Sequence, residues 1–107
     1  YITFLIEADT EVILTSTFAV NDDNWHLYVG TKTATTMTLF RDNAISLGTA
    51  SSPAGSCDKA IPLLIGGNNA ANRWSSGLFG AAWAYNRALT AAEIQQLSLN
   101  PYDMFLR

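Results

Sequence analysis

Three carboxylates lie close together near the start of the sequence and could take part in acid–base chemistry. Glu7, Asp9 and Glu11 alternate with two short side chains. Carboxylates that cleave a glycosidic bond with retention lie about 5–5.5 Å apart, whereas positions i and i+4 of a regular strand are roughly 13 Å apart. The alternative is a hairpin turn over residues 8–10 with an exposed glutamate on each side. We favour the turn, and we predict no catalytic residues.

A second group of oxygen-bearing side chains, Asp22, Asp23 and Asn24, precedes Trp25. Calcium takes about six to eight oxygen ligands, and Asp22 and Asp23 are the candidate metal ligands. The spacing is not that of an EF-hand, and a polar turn favours Asp and Asn for its own geometry. We therefore predict no required cofactor and keep Ca²⁺ as an alternative.

An amide-rich loop is the candidate ligand-binding segment. Asn68, Asn69 and Asn72 lie shortly before Trp74. Amides hydrogen-bond hydroxyl groups and an indole ring stacks on the face of a sugar, so this set would suit a carbohydrate. The alternative is a loop whose asparagines form turns and whose Trp74 packs against the core.

The remaining reactive and aromatic side chains favour structural roles. His26 is the single histidine, and the sequence indicates no nucleophile or carboxylate partner, so we interpret it as a packing or hydrogen-bonding residue. Cys57 is the single cysteine and cannot form an intrachain disulfide or a cysteine-based zinc site. The larger aromatic residues that alternate with small ones are interpreted as core or sheet-face packing; they are Trp25, Tyr28, Trp83 and Tyr85. The alternative is an exposed aromatic face that binds a ligand.

Composition excludes several classes of protein. Six basic and nine acidic side chains give a net charge of −3, which argues against a nucleic-acid partner. A chain with 49% hydrophobic and 14% charged residues is not typical of disorder. No apolar run approaches the roughly 18 residues of a membrane span. We expect one domain over residues 1–107, and its start in the middle of a strand suggests a fragment of a longer chain.

Alternation of apolar and polar residues predicts antiparallel strands up to about residue 86. Asp42-Asn43 separates two short alternating runs and predicts a tight hairpin. Two less polar segments, residues 63–65 and 77–86, are also predicted as strands, the second packed closely on both faces because it is rich in small residues. The other predicted strands cover residues 2–7, 12–20, 25–29, 37–39 and 45–47.

One helix is predicted after residue 90. Thr90 and Glu93 form a capping box, and Leu89 and Ile94 have the spacing of a hydrophobic staple. Pro101 follows the last apolar position, so the helix is short and ends before it.

Four segments resemble laminin-G-like, concanavalin A-like jelly rolls. Residues 78–97, LFGAAWAYNRALTAAEIQQL, resemble the closing strand and capped helix of that family. Three upstream segments are similar in the same order: Asn24-Trp25-His26, Leu39 to Asn43, and Leu64 to Gly67. Asn43 stands where the family usually has glycine. The tail, Asn100 to Phe105, is similar to bacterial and phage-type variants.

The resemblance implies an all-β fold, an antiparallel β-sandwich of the jelly-roll, concanavalin A-like type with a short C-terminal helix. It also implies a non-catalytic recognition module, most of all for carbohydrate, in an extracellular, cell-surface or virion protein of bacterial or phage-related type. One alternative is a structural or assembly domain without a small ligand. We expect no membrane partner.

Two further expectations follow from the same resemblance. The segment Glu7 to Glu11 is similar to the Glu-x-Asp-x-Glu strand of laminarinase-type enzymes, in which one glutamate is the nucleophile, the other the acid/base, and the aspartate tunes them. A glycoside hydrolase fragment is therefore the third alternative. The chain is shorter than the family's usual domain, and the resemblance implies that the missing part is N-terminal strands. The chain is a truncated form, or another chain supplies strands, or it is a natural minimal version. Because an unpaired sheet edge favours pairing with another chain, we expect a homodimer or another chain to complete the sheet.

Overall fold

The computed structural model describes residues 2–17, 21–55, 63–68 and 73–102. In chain order, the elements are β1 (Thr3–Glu7), β2 (Glu11–Thr15), β3 (Tyr28–Lys32), β4 (Thr36–Arg41), β5 (Ile45–Ser51), β6 (Gly67–Asn68), β7 (Arg73–Trp74) and α1 (Ala91–Leu99). All strand pairs are antiparallel: β1 with β2, β3–β4–β5 in that order, and β6 with β7. The predicted all-β sandwich architecture with a short C-terminal helix is confirmed.

The first hairpin turns over residues 8–10, as the sequence predicts. Its register runs from Thr3 opposite Thr15 to Glu7 opposite Glu11. The backbone N–H of Asp9 donates to the carbonyl of Ala54 at 3.2 Å, so the turn is joined to the segment that follows β5.

The turn between β4 and β5 contains Asp42, Asn43 and Ala44, because Arg41 pairs with Ile45. Asp42 and Ala44 have positive φ angles of 48° and 61°, whereas the sequence pattern suggested Asp42 and Asn43. Leu39 pairs with Gly48 and Phe40 pairs with Ser46, which leaves Leu47 as the extra residue of a bulge.

The core lies between the β1–β2 hairpin and the three-stranded sheet. Its buried members are Leu14, Met37, Leu39 and Leu47. The ring of Phe4 lies directly over Gly30, since a Cβ atom built there would come within 2.8 Å of three ring carbons. Two layers of side chains therefore meet across this contact, and a larger residue at position 30 would hold them apart.

The capping box predicted for α1 is confirmed. The backbone N–H of Glu93 donates to the Thr90 hydroxyl at 3.3 Å, and the backbone N–H of Thr90 donates to the Glu93 carboxylate at 2.8 Å. The guanidinium of Arg87 donates to both oxygens of Glu93, at 2.7 and 2.8 Å. Ile94 is fully buried, so this helix presents one apolar position to the protein. Within the described ranges, no helix has the length and apolar character needed to cross a membrane.

Two predicted strands are wrong. Residues 63–65 are not in a strand, and the short ladder forms instead just after them, between Gly67–Asn68 and Arg73–Trp74. Residues 77–86 are not in a strand either, and most of their side chains are exposed. The small residues that alternate with larger ones in this segment are glycine and alanine, which have low β propensity and little side chain to bury. Part of the second predicted strand, residues 18–20, lies outside the described residues.

Replacing Gly30 by alanine should destabilise the fold by about 1–3 kcal/mol, because the new methyl group would collide with the Phe4 ring. Urea unfolding followed by circular dichroism measures this loss. Gly77→Ala is the matched control, since the nearest atom to a Cβ there is the Ser75 hydroxyl at 3.5 Å. Equal stability of the two variants would contradict the packing described.

The ion pair between Arg87 and Glu93 should make the stability of the fold depend on pH. The hydrogen bonds that the Glu93 carboxylate accepts from Arg87, and then the one that it accepts from Thr90, lower the pKa of Glu93 from 4.5 to about 2. A lowered folded-state pKa means that the pair stabilises the fold above pH 4.5 and loses this effect as the pH falls towards 2. Glu93→Gln retains a capping side chain without the charge.

We therefore expect the melting temperatures of wild type and Glu93→Gln to differ most above pH 4.5 and to converge near pH 2. Because the pair is exposed, added salt should narrow the difference. A difference that is constant from pH 6 to pH 2 would show that the charge is not involved.

Candidate functional site

His26 lies between two carboxylates. Its Nδ1 atom is 2.7 Å from Oδ2 of Asp42, and its Nε2 atom is 2.9 Å from both carboxylate oxygens of Asp22. The His26 side chain is 13% exposed, whereas that of Asp22 is 46% exposed. We call these three residues the histidine cluster. A protonated imidazole satisfies both contacts at once, because both of its nitrogens then donate.

Two loops bring the cluster together. Asp22 begins a local turn, in which its carboxylate accepts the backbone N–H of Asn24 at 3.1 Å. Asp42 belongs to the β4–β5 turn, and its other oxygen, Oδ1, accepts the backbone N–H of Leu27 at 3.0 Å. The backbone N–H of Asp42 in turn donates to the carbonyl of Leu27 at 2.8 Å. The segment before β3 is thus fixed to the β4–β5 turn through side chain and backbone together.

The hydrogen bonds of the histidine cluster favour a protonated His26 beside an ionised Asp22. The hydrogen bond to Asp22, and then the one to Asp42, raises the pKa of His26 above its ordinary value. The hydrogen bond from His26 is the main cause that lowers the pKa of Asp22. Arg41 lies next to the cluster, with Nε 3.5 Å from Asp42, and the ring of Tyr28 meets the imidazole edge-on at 6.0 Å between centroids.

Trp25 is presented to solvent beside this cluster. Its side chain is 71% exposed, so the prediction that it packs in the core is wrong. One atom of its six-membered ring lies 3.6 Å from the position that a Cβ atom would take at Gly80. The exposed side chains of Asp23 and Asn24 precede it in the same loop. The result is a flat apolar ring beside two polar groups, on a loop held by the histidine cluster.

The other predicted packing aromatics differ among themselves. Tyr28 and Trp83 are half-buried, and Trp83 meets Tyr102 edge-on at 6.2 Å between centroids. Tyr85 is 42% exposed, so the packing prediction is wrong for this residue as well. The segment that carries it does not form the predicted strand and gives it no sheet face to cover.

The carboxylates of the first hairpin are brought together by the predicted turn, whereas on a regular strand they would be roughly 13 Å apart. Glu7 and Glu11 are directly opposite in the register, and such pairs place Cβ atoms about 4.5–5.5 Å apart. Both glutamates are exposed at the end of the hairpin. The carboxyl group of Asp9 occupies the space beside Gly55, a residue with φ of +86° at which a Cβ atom would collide with it.

The carboxylate of Asp22, one of the two predicted metal ligands, already accepts hydrogen bonds. The oxygens of Asp22 face donors, the imidazole of His26 and the backbone N–H of Asn24, which do not suit a cation. Among the described residues, no three His, Cys, Asp or Glu side chains are grouped as a metal site requires. Calcium binding through Asp22 and Asp23 remains a prediction.

The predicted amide-rich loop falls mainly outside the described residues. Asn69 and Asn72 are not described, and neither is Cys57. The backbones of Asn68 and Trp74 lie in the β6–β7 ladder, where Gly67 is opposite Trp74. The ladder brings the two ends of the loop together, and sugar binding by its side chains remains a prediction.

Sequence reasoning missed the partners of His26, although a signal was present. The turn between Thr33 and Thr36 sets the pairing of β3 with β4, and the predicted hairpin at Asp42-Asn43 marks where β4 ends. If that register is continued from Tyr28 opposite Arg41, Leu27 falls opposite Asp42, next to His26. Asp22, four residues before His26, would then have been the second carboxylate to consider.

Comparison with known proteins establishes the family. The chain matches the laminin-G-type model of the concanavalin A-like lectin/glucanases superfamily over residues 1–95. The chain therefore belongs to this superfamily, as the resemblance of its segments predicts. Comparison with curated proteins gives no match.

A solved structure has a similar fold. It is an S-layer domain-containing protein from Clostridium thermocellum ATCC 27405, which superposes with a TM-score of 0.60 at 23% sequence identity. The alignment covers 84% of this chain and 46% of the other, so this chain spans about half the length of that structure. At this identity, the likeness shows the shared fold alone.

The chain has one histidine, so its titration can be followed without ambiguity by NMR. We expect His26 to titrate with a pKa above 6.5 and Asp22→Asn to shift this pKa downwards. Asp23→Asn is the control, because it removes a neighbouring charge that does not contact the imidazole. A pKa at or below 6.5 in the wild type would contradict the geometry of the cluster.

The pKa shifts of His26 and Asp22 also determine how the stability of the fold depends on pH. A raised His26 pKa means that the contacts stabilise the fold fully below pH 6.5, and that this effect is lost as the pH rises through the folded-state value. The lowered Asp22 pKa means that its effect is lost as the pH falls below 3.8. The histidine cluster therefore stabilises the fold most between about pH 4 and 6.5.

Proposed function

We propose that this chain is a non-catalytic recognition module that binds carbohydrate. The observation that carries the proposal is Trp25, whose indole is 71% exposed on a loop fixed by the histidine cluster. A single exposed aromatic side chain is ordinary on a protein surface. This one differs because its loop is held by hydrogen bonds at both Asp22 and Asp42, so it is ordered before a ligand arrives.

The chemistry around Trp25 suits a sugar. An indole ring offers a wide apolar face and is rigid, so little conformational entropy is lost when a ligand stacks on it. The amide of Asn24 and the carboxylate of Asp23 are exposed beside the ring and can hydrogen-bond hydroxyl groups. Membership of a lectin/glucanase superfamily is consistent with this class of ligand, although fold alone does not decide function.

The same geometry favours binding over hydrolysis. Glycoside hydrolysis needs two carboxyl groups on either side of a bound sugar in a cleft that limits water. Glu7 and Glu11 are instead both exposed at the end of a hairpin. The structural neighbour is an S-layer domain-containing protein, and we extend this to a cell-surface or extracellular location for the present chain.

A glycan array tests the proposal, with the labelled chain applied in Ca²⁺ and again in EDTA. We expect saturable binding to at least one oligosaccharide in both buffers. Trp25→Ala should raise the Kd by about tenfold or more, the typical effect of removing a central aromatic contact. Trp74→Ala is the comparison variant, because it tests the loop predicted from the sequence.

Each of the other outcomes has a definite meaning. Binding lost in EDTA would favour the calcium site predicted at Asp22 and Asp23. Binding lost in Trp74→Ala but not in Trp25→Ala would place the site at the predicted amide-rich loop. No binding in either buffer, by a chain shown to be folded, would contradict carbohydrate recognition.

A second candidate function is assembly with another copy of the chain. Leu63, Leu64 and Ile65 are 77%, 44% and 58% exposed, and Leu78 and Phe79 are 84% and 60% exposed. The Phe79 ring lies against Gly66, so the two segments meet and form one apolar surface. A contiguous surface of this kind is typical of interaction sites.

If this apolar surface joins two copies, light scattering after gel filtration should give the mass of a dimer. The double variant Leu64→Ser, Phe79→Ser should give a monomer, and Leu99→Ser, at a residue 78% exposed elsewhere in the chain, should leave the dimer intact. A monomeric wild type at the highest concentration tested would contradict the assembly function.

A further inference from the structure

One face of the three-stranded sheet carries two cross-strand rows of hydroxyl side chains. The buried residues of β4, Met37 and Leu39, point to the core, so the alternate residues of that strand point away from it. Residues directly opposite in the register share a face. The first row is Thr31, Thr38 and Thr49, of which Thr31 is buried and Thr49 is exposed. The second row is Thr33, Thr36 and Ser51, all exposed. We call the four exposed residues, Thr33, Thr36, Thr49 and Ser51, the hydroxyl face.

The second row borders an open depression of about 400 Å³, lined by Thr35, Thr36, Thr49, Ala50 and Ser51. In the part of the chain that the structure describes, the hydroxyls of Thr49 and Ser51 bond to no protein group. The Thr36 hydroxyl has one long contact, at 3.4 Å to the hydroxyl of Thr35. Several donors and acceptors around the depression are therefore available to a ligand.

The chemistry of the lining selects a neutral, polyhydroxylated ligand. None of the five lining residues is charged, so an anion or cation would lose its hydration without gaining a counter-charge. Each threonine offers a methyl group beside a hydroxyl, and a pyranose ring likewise exposes both C–H and O–H groups. Neighbouring strands lie about 4.8 Å apart, so the hydroxyls repeat across the sheet at close and regular intervals.

We propose that the hydroxyl face is a second contact surface for an extended neutral oligosaccharide, separate from Trp25. The proposal rests on the carbohydrate-binding function proposed above. The two surfaces lie at opposite ends of the sheet: Tyr28, opposite Arg41, is at the Trp25 end, and Thr33, bonded to Thr36, is at the other. Five residues of strand separate them by roughly 16 Å.

NMR titration of the isotope-labelled chain with cellohexaose, laminarihexaose and maltohexaose tests this inference. We expect at least one neutral hexasaccharide to shift the backbone amide signals of Thr36, Thr49 and Ser51 in a saturable manner. An acidic control, a galacturonic acid hexamer, should leave these signals unchanged because the depression has no positive charge.

Variants test whether the hydroxyl groups, rather than the shape of the sheet, are responsible for binding. Thr49→Val combined with Ser51→Ala removes two hydroxyls with little change in volume and should raise the Kd about tenfold. Thr49→Ser keeps the hydroxyl and should bind nearly as the wild type does. Thr3→Val, on the other sheet, is the matched control for losing a threonine hydroxyl, and thermal unfolding verifies that each variant is folded.

The outcomes distinguish this inference from the proposed function. Shifts near Trp25 without shifts at Thr36, Thr49 and Ser51 would overturn the inference and leave the proposed function in place. Shifts at those three residues in the wild type, with none near Trp25, would support the inference and contradict the site assigned to Trp25. If none of the three neutral hexasaccharides shifts these amides, or if the acidic hexamer shifts them equally, the inference is wrong.

Discussion

The contact of one imidazole with two carboxylates connects the segment before β3 to the turn between β4 and β5. Among the described residues, the other hydrogen bonds of the Asp22 and Asn24 side chains are short-range ones within their own turn, such as the 3.0 Å bond from the Asn24 amide to the carbonyl of Asp22. His26 adds a connection across sixteen residues of sequence, to Asp42. The position of Trp25 depends on this connection, because its neighbour in the chain is the residue that is held.

The core determines where Asp42 can lie. Burial of Met37, Leu39 and Leu47 fixes which face of the β4–β5 hairpin points inwards, and Leu47, the extra residue of the bulge, is itself buried. The turn then places Asp42 in the left-handed region, with φ of 48°, where both its backbone and its carboxylate meet Leu27. Packing between the layers thus determines the geometry of a polar cluster at the surface.

The sequence was sufficient for features whose signals are local. The capping box at Thr90 and Glu93, the turn over residues 8–10 and the hairpin at Asp42 each depend on a few adjacent residues, and all three are confirmed. Features that depend on pairing over long distances were harder. The alternation in residues 77–86 predicted a strand, but the small side chains of this segment bury too little surface and the segment lies outside a sheet. The exposure of Trp25 depends on the packing of other segments, which residue types alone do not specify.

The central claim is that the histidine cluster holds Trp25 in place for a ligand, and NMR relaxation tests it most directly. Order parameters of the backbone amides of residues 21–25 and of the Trp25 indole should be near 0.85 in the wild type at pH 6, the value of a rigid backbone. In His26→Gln they should fall towards 0.6 or below, while those of β4 stay unchanged. Order parameters at residues 21–25 that are the same in both proteins would contradict the account.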